Sequence, residues 1–186
     1  MMRKNFGVKT WLYPLPVLIV GSYDGNGVPD AMNAAWGGIS GQDQVYMSLL
    51  SSHKTVKNIL KSGAFTVSPA TAKYAAECDY VGIESANNVP DKLGKCGLHT
   101  TKSSFVNAPV IDELPLALEC ELLSYDEETE ILVGKIINVC ADETVLTDGN
   151  VDLAKLNPIS VDPVSWNYVR LGAPVAKAFQ SGKKFK

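Results

Sequence analysis

The segment with the densest chemistry is Ser51-Ser52-His53-Lys54-Thr55, which lies between an apolar strand and the start of a helix. The first N–H groups of a helix lack backbone partners and carry partial positive charge. Together with the three hydroxyls and the lysine ammonium, they predict a cradle for a phosphate dianion. The alternative interpretation is that Ser52 only caps the helix while Lys54 points into water.

A second feature is a strand of small residues, in which Asn33, Ala34 and Ala35 precede Trp36. So little side-chain bulk would let a flat ring lie close to the backbone, and the tryptophan adds a large apolar plane. A flat heterocycle beside a phosphate describes a nucleotide-like cofactor. Flavin mononucleotide (FMN) fits, because it carries one phosphate on a short ribityl chain. The alternative is that the small residues serve tight packing of the strand against a helix.

The sequence lacks the complete motifs of an acyl-enzyme, a dinucleotide-binding site or a zinc site. Residues 51–54 match the Ser-x-x-Lys pattern of acyl-enzymes, but neither Ser-Asp-Asn nor Lys-Thr-Gly occurs. The glycines at 25 and 27 are followed by Pro29 and Asp30, which fails the dinucleotide fingerprint. The cysteines at 78, 96, 120 and 140 include no Cys-x-x-Cys, and with two histidines they lack the spacing typical of zinc sites. We therefore expect no metal and four reduced thiols.

Composition excludes several classes of protein. The 186 residues carry 17 Lys+Arg against 20 Asp+Glu, for a formal net charge of -3. This balance provides no basic field for binding nucleic acid. No apolar stretch approaches the roughly 20 residues of a membrane-spanning helix. The sequence predicts one domain over residues 1–186, located in the cytoplasm, with neither nucleic acid nor a membrane as its partner.

The elements that position these residues are predicted to be mostly strands. Residues 17–20, 31–36 and 45–50 have the composition of strands and short turns typical of an antiparallel meander. Val56, Ile59 and Leu60 then fall at helical spacing, and Gly63 supplies a C-terminal stop. The helix of about three turns therefore begins within the segment that carries the predicted phosphate cradle.

Strands return after that helix, at residues 65–68, 116–122 and 131–139, with short helices expected between residues 71 and 97. In the second of these strands Glu119 and Glu121 alternate with apolar residues, so both are expected to face outward. Strands with helices inserted between them favour a closed or partly closed barrel. We predict a mainly β fold, a β-barrel with inserted helices.

Several segments in series carry a family resemblance: residues 33–36, 48–60, 63–67, 78–85, 91–92 and 168–172. In this order, and over nearly the whole chain, they resemble the flavin reductase-like proteins with the FMN-binding split barrel, and are most similar to the flavoredoxin branch. The resemblance implies an antiparallel split barrel of Greek-key type that forms a homodimer, with FMN near the subunit interface.

The resemblance also implies where the cofactor lies. The isoalloxazine would rest against residues 33–36 and the strand segment Ser48-Leu49-Leu50, with the phosphate at residues 51–55. Lys92 or His99 would contact the flavin of the neighbouring subunit, the alternative being solvated charges on a covering helix. Many relatives have an arginine in the phosphate loop, where this chain has His53 and Lys54. Lysine is a point charge without the bidentate fork of arginine.

The function that the resemblance implies is an FMN-dependent oxidoreductase that transfers hydride or electrons through the bound flavin. Its electron donor would be NAD(P)H or a redox protein. The flavin carries this chemistry, so an acid–base triad is not required. The alternative is a non-catalytic FMN-binding or electron-carrier barrel that acts with a redox protein partner. Cys78 and Cys96 are expected to be inert buried thiols.

Overall fold

The computed structural model describes residues 2–186. Within this range, the strands are β1 Leu15–Pro16, β2 Leu18–Tyr23, β3 Pro29–Ala34, β4 Gly37–Ile39, β5 Gln44–Ser48, β6 Ala64–Pro69, β7 Thr100–Lys102, β8 Pro109–Ile111, β9 Leu116–Asp126, β10 Ile131–Ala141, β11 Leu146–Thr147, β12 Asn150–Val151, β13 Ile159–Val161 and β14 Tyr168–Arg170. The α-helices are α1 Lys54–Ser62, α2 Ala75–Ile83, α3 Lys92–Lys95 and α4 Leu153–Leu156, with 3-10 turns at Ala72–Tyr74, Glu143–Val145 and Ser181–Phe185.

The main sheet has seven antiparallel strands and curls into a half-barrel, in the order β3-β2-β6-β9-β10-β5-β4. Strands β1, β13 and β14 form a smaller antiparallel sheet. The prediction of a mainly β fold with inserted helices is confirmed. The predicted meander is wrong in one respect, because β5 pairs with β10 and β2 pairs with β6. As a result, β3 and β4 lie at opposite edges of the sheet.

The long hairpin of β9 and β10 corrects one expectation about side-chain exposure. Glu121 is exposed as predicted, but Glu119 is buried, and its carboxylate accepts a hydrogen bond from the side chain of Asn138. Leu118, Cys120 and Leu122 all pack in the cluster inside the curled sheet, so Glu119 lies on the opposite face, as the alternation predicts. That face is covered at this point, because Thr66, the residue that pairs with Glu119 on β6, is also buried and donates to Pro109 O of β8 (2.6 Å).

Helix α1 packs against β2 and β3 and presents its first turn to the candidate site. Val56 and Ile59 are fully buried, whereas Leu60 is 45% exposed and does not belong to the apolar face. Asn58 is buried instead and donates from Nδ2 to Ser22 Oγ (3.2 Å). Gly63 confirms the predicted stop: its φ is 72° and its N–H donates to Ile59 O (2.8 Å). Glycine adopts this left-handed conformation without steric cost.

Strands β2 and β3 separate two apolar clusters. Val20 joins Val56 of α1 in the cluster inside the curled sheet. Ile19, which points to the other face of β2, joins Val81 of α2 and Leu93 of α3. This arrangement fixes α1 on one side and α2 and α3 on the other. Among the helices of residues 2–186, none combines the length and the apolar character needed to cross a membrane.

Candidate functional site

A cavity of about 190 Å³ lies where the start of α1 meets β3, the end of α2 and α3. Five of the predicted site residues line it: Asn33, His53, Lys54, Thr55 and Lys92. They come from three separate parts of the sequence, and the packing of α1, α2 and α3 against β3 brings them together. The remaining lining comes from two other residues of β3 and from the chain between 81 and 86.

The start of α1 offers backbone donors to this cavity. His53 is the residue that precedes the helix, with extended backbone (ψ 139°), and its carbonyl accepts the first helical hydrogen bond, from Lys57 N–H (3.2 Å). The three N–H groups that follow His53 therefore come before the helical ladder begins. The interpretation of Ser52 as the cap is wrong, since His53 takes that position. An anion is favoured at such a helix start.

Across residues 2–186, two buried side-chain atoms have no hydrogen bond, Asp30 Oδ1 and His53 Nδ1, and both residues line this cavity. Asp30 Oδ1 is nevertheless paired with a charge, since Lys92 Nζ lies 3.2 Å away, so His53 Nδ1 is the atom left without a partner. An unpaired buried polar group costs on the order of 1–3 kcal/mol, and native proteins pair nearly all of them. The cavity is therefore suited to a ligand with polar atoms.

The His53 imidazole is only partly buried, yet burial is the main cause that lowers its pKa. The carboxylate of Glu130 acts in the opposite direction, and the charge of Lys92 lowers the pKa further. The neutral imidazole is thus favoured in the protein alone. A bound anion would favour the charged form, because an opposite charge nearby raises the pKa of a histidine.

Lys92 is buried beneath the cavity, with 3% of its side chain exposed. Its Nζ donates to Val81 O (3.0 Å) and Glu84 O (2.9 Å) and lies 3.2 Å from Asp30 Oδ1. The alternative of a solvated charge on a covering helix is wrong for Lys92. Asp30 accepts at Oδ2 from the Thr55 hydroxyl (2.7 Å). That hydroxyl is therefore engaged with a carboxylate, which corrects its predicted role as a donor to phosphate.

Lys54 lines the cavity with a counter-ion already beside it. Its Nζ lies 3.7 Å from Asp24 Oδ2, with 32% and 17% of the two side chains exposed. Asp24 belongs to the turn between β2 and β3, where its Oδ1 accepts the N–H groups of Asn26 (2.8 Å) and Val28 (3.0 Å). These two hydrogen bonds, more than the lysine, lower the pKa of Asp24. A ligand anion would compete with Asp24 for Lys54.

Asn33 is held by partners on two other elements. Its Nδ2 donates to Cys78 O on α2 (3.1 Å) and to the Tyr168 hydroxyl on β14 (3.3 Å). That hydroxyl donates to Asp79 Oδ1 (2.7 Å), and burial followed by this hydrogen bond raises the pKa of Tyr168 to about 12. Gly82 permits the close approach of α2, since a Cβ there would lie 2.7 Å from Asn33 Cβ. These contacts fix the orientation of the Asn33 amide.

The rest of the small-residue segment faces elsewhere. Strand β3 ends at Ala34, two residues earlier than predicted, and the Ala34 side chain is buried in the cluster inside the curled sheet. Tight packing therefore explains its small size, and a bulky residue there would overpack the core. Ala35 packs against the other cluster, and Trp36 is 55% exposed. Trp36 O accepts the Ser48 N–H (2.8 Å), which joins this segment to β5.

Residues 48–52 lie before the helix but do not line the cavity. Leu49 is buried in the core and Leu50 is exposed. Ser51 N–H donates to Glu130 Oε1 (3.1 Å), and Ser52 is exposed. Their part in cofactor binding, like that of residues 34–36, stays a prediction.

His99 and the cysteines also lie outside the cavity lining. His99 is exposed, and its hydrogen bond with Glu113 Oε1 (2.7 Å) raises its pKa. The cysteines are all unpaired thiols. Burial raises the pKa of Cys78 to about 12 and also raises that of the half-buried Cys96. A raised pKa disfavours the reactive thiolate, in keeping with the expectation of inert thiols.

Sequence reasoning missed Asp30 as a site residue. Its carboxylate accepts a hydrogen bond from the Thr55 hydroxyl and forms an ion pair with Lys92 Nζ. No signal in the sequence marked it, because the predicted strand begins at residue 31, whereas β3 begins at Pro29 and so includes Asp30. Because Asp30 is only 3% exposed, it is not an ordinary solvated residue of a strand.

The lining fits one end of an FMN molecule. An engineered cavity of about 150 Å³ accommodates benzene, so about 190 Å³ has room for a phosphate group or a single ring, and not for a three-ring system. The backbone donors of the helix start, with Lys54 and His53, provide what a phosphate ester requires. The flavin ring itself would have to lie beyond this cavity.

Known proteins share this fold. Residues 10–155 match the family described as flavin reductase like domain. Flavoredoxin of Desulfovibrio vulgaris (Miyazaki F) is 38% identical, with 98% of this chain and 100% of that chain covered and a TM-score of 0.94. Flavoredoxin from Methanosarcina acetivorans is 26% identical, with 100% and 99% covered and a TM-score of 0.88.

A more distant structure, an FMN-binding domain of a flavin reductases-like enzyme from Shewanella baltica OS155, is 19% identical, with 87% and 88% covered and a TM-score of 0.79. That likeness concerns the fold alone. Together with a split barrel domain from Shewanella frigidimarina, it confirms the predicted split-barrel architecture. The comparison with curated proteins finds no match.

Proposed function

Because the chain belongs to the flavin reductase like domain family, we propose that it is an FMN-dependent oxidoreductase that transfers hydride or electrons through bound flavin. The observation that carries this proposal is the polar cavity at the start of α1, where Lys54 and the unpartnered His53 Nδ1 lie beside the first N–H groups of the helix. The similar solved structures support it, since two are flavoredoxins and one is described as an FMN-binding domain.

In this proposal the phosphate end of FMN occupies the cavity. The N–H groups that follow His53, the His53 ring and the Lys54 ammonium would hold the phosphate, and Asn33 and Lys92 would line the path toward the ribityl chain. When bound, FMN supplies the hydride and electron chemistry. The protein would bind and orient it, with the ring against residues 33–36 and 48–50 as the family resemblance implies.

The proposal includes a homodimer. Trp36 lies in an apolar groove of about 360 Å³, with Trp11, Leu12 and Leu15. Trp36 and Leu12 are 55% and 71% exposed. Exposed apolar patches of this kind mark interaction sites, and a second copy of the chain would cover Trp36 beside the proposed ring position. Light scattering of the purified protein tests this: a monomer with and without FMN would contradict the dimer.

The electron donor is proposed to be NAD(P)H or a redox protein, acting in the cytoplasm. The four unpaired cysteines are in keeping with a reducing compartment. Anaerobic titration of the FMN-loaded protein with NADH and NADPH separates the two donors. Bleaching of the flavin absorbance by either identifies a reductase, whereas bleaching only by a reduced redox protein identifies an electron carrier.

FMN binding itself is tested by titration and by release of the flavin on denaturation. Lys54→Ala is expected to weaken FMN binding by about 1–3 kcal/mol, the scale of a hydrogen bond to a charged group. Lys57→Ala is the matched control, because Lys57 is an exposed lysine one turn further along α1. Equal affinities of the wild type and Lys54→Ala would overturn the phosphate assignment, and a protein that binds no FMN would overturn the proposed function.

A further inference from the structure

Residues 171–186, here named the arm, follow β14 and lie uncovered on the surface. Every residue of the arm is exposed, and within residues 2–186 no hydrogen bond links residues 172–186 to the rest of the chain. The hydrogen bonds inside the arm are local: Ser181 N–H donates to Lys177 O (3.0 Å), and Lys183 N–H donates to Gln180 O (2.9 Å). The arm is therefore ordered locally, while its own chain leaves it uncovered.

The arm carries large apolar side chains that its own chain does not bury. Val175 is 99% exposed, Phe179 97% and Phe185 84%. Segments that stay disordered are typically poor in aromatic residues, whereas this one has two phenylalanines among sixteen residues. Exposed apolar groups that lie together mark a surface that another molecule covers. The composition of the arm therefore favours packing on a second molecule.

The charge of the arm indicates what that molecule is. The arm contains four lysines and no acidic residue, so the rest of the chain has 13 Lys+Arg against all 20 Asp+Glu, a formal net charge of -7. A basic segment is attracted to an acidic surface, which favours association of the two. A second copy of this chain brings such an acidic body and an arm of its own.

The place where the arm leaves the body connects it with the proposed dimer contact. Strands β1 and β14 are the two edges of the small sheet, with β13 between them. Leu15 of β1 lines the apolar groove that also contains Trp36. Two strand spacings of roughly 4.8 Å each separate β1 from β14. The arm therefore begins about 10 Å from the strand that borders this groove, so a second copy seated there lies within its reach.

We infer that the arm of each copy packs on the body of the second copy, so that the two subunits of the dimer exchange arms. The inference rests on the proposed homodimer and adds the segment that holds the two copies together. In a twofold dimer the contact is made twice, so Val175, Phe179 and Phe185 each become buried at two places. The lysines of each arm then lie beside the carboxylates of the other subunit.

Trypsin tests the position of the arm directly, because Lys177 lies inside it. Sedimentation first gives the dissociation constant of the FMN-loaded dimer. Cleavage after Lys177, followed by mass spectrometry, should be at least about tenfold slower above this concentration than below it, since a packed segment must open before it is cleaved. A trace of labelled peptide with the sequence of residues 171–186 controls for trypsin activity. Fast cleavage at both concentrations means a free arm, and slow cleavage at both means an arm held by its own body; either result would overturn the inference.

Phe179→Ser provides the second measurement. It should raise the dissociation constant of the dimer at least about tenfold, because two buried phenylalanines are lost per dimer. Phe105→Ser makes the same change at a phenylalanine that is 60% exposed between β7 and β8, and it should change the constant by no more than about twofold. If the wild-type dimer is too tight to dilute, faster cleavage after Lys177 in Phe179→Ser than in Phe105→Ser supports the inference, and equal rates contradict it.

The outcomes separate this inference from the proposed function. A dimer that Phe179→Ser leaves as tight as the wild type would overturn the arm exchange alone. A wild-type protein that stays monomeric at every concentration would overturn the arm exchange together with the homodimer. Neither result changes the titration with FMN, and only a protein that binds no FMN would refute the proposed function itself.

Discussion

Replacing Lys92 by methionine is expected to destabilise the protein by about 3–5 kcal/mol, because Asp30 would remain as a buried charge without a counter-ion. Both side chains are 3% exposed, and Lys92 Nζ lies 3.2 Å from Asp30 Oδ1. At an effective dielectric constant of about 20, two unit charges at this distance attract each other by about 5 kcal/mol. Methionine keeps the apolar stem but also removes the donor to Val81 O and Glu84 O.

Urea unfolding of the flavin-free protein, followed by tryptophan fluorescence, measures this change. Lys95→Met is the control, since Lys95 is an exposed lysine of the same short helix and should alter the free energy of unfolding by no more than about 0.5 kcal/mol. Adding Asp30→Asn to both backgrounds completes a double-mutant cycle, in which the double variant should be less destabilised than the sum of the single variants. A cost below about 1 kcal/mol for Lys92→Met would refute the reasoning.

Three further predictions concern the same cavity. Asp24→Asn keeps the turn but removes the counter-ion of Lys54, so FMN should bind about two- to fivefold more tightly at low salt by calorimetry; Asp126→Asn, in a similar turn, should leave the affinity unchanged. Burial lowers the pKa of His53 in the protein alone and a phosphate dianion raises it, so binding takes up a proton and FMN affinity should increase from about pH 8 to about pH 6.5. A slope that persists in His53→Gln would exclude this histidine. Gly82→Ala would bring a Cβ within 2.7 Å of Asn33 Cβ and should destabilise the protein by about 1–3 kcal/mol in urea unfolding; unchanged stability would contradict that close packing.

The parts of the fold that sequence reasoning predicts are those with local causes. The spacing of Val56 and Ile59 and the stop at Gly63 depend on neighbouring residues, and the structure confirms them. The partner of β5 does not depend on its neighbours: Val45 pairs with Gly134, far along the chain, so the predicted meander failed. The burial of Glu119 has a related cause, because the alternation within β9 gives its face but not the chain around β8 that covers that face.

The candidate site also combines features with local causes and contacts between distant parts of the chain. The helix start at His53 and Lys54 is a local feature, and its composition alone predicts an anion site. The burial of Lys92 depends on a carboxylate contributed by β3 and on two carbonyls at the end of α2, and no sequence pattern reports such a meeting. Asp30 was therefore not predicted, although its carboxylate contacts two of the predicted site residues, Thr55 and Lys92.

The side chain of Asn33 is held jointly by a helix and by β14, near the end of the described chain. The contact between Asn33 and Tyr168 joins residues 135 positions apart, and such non-local contacts form slowly because a long loop must close first. We expect the order of events during refolding to follow from this: the curled sheet forms first, and capture of FMN lags behind it. Quenching of flavin fluorescence that keeps pace with formation of the sheet would contradict this order. In that sequence of events the cofactor enters a nearly finished protein and does not serve as the template on which the chain folds.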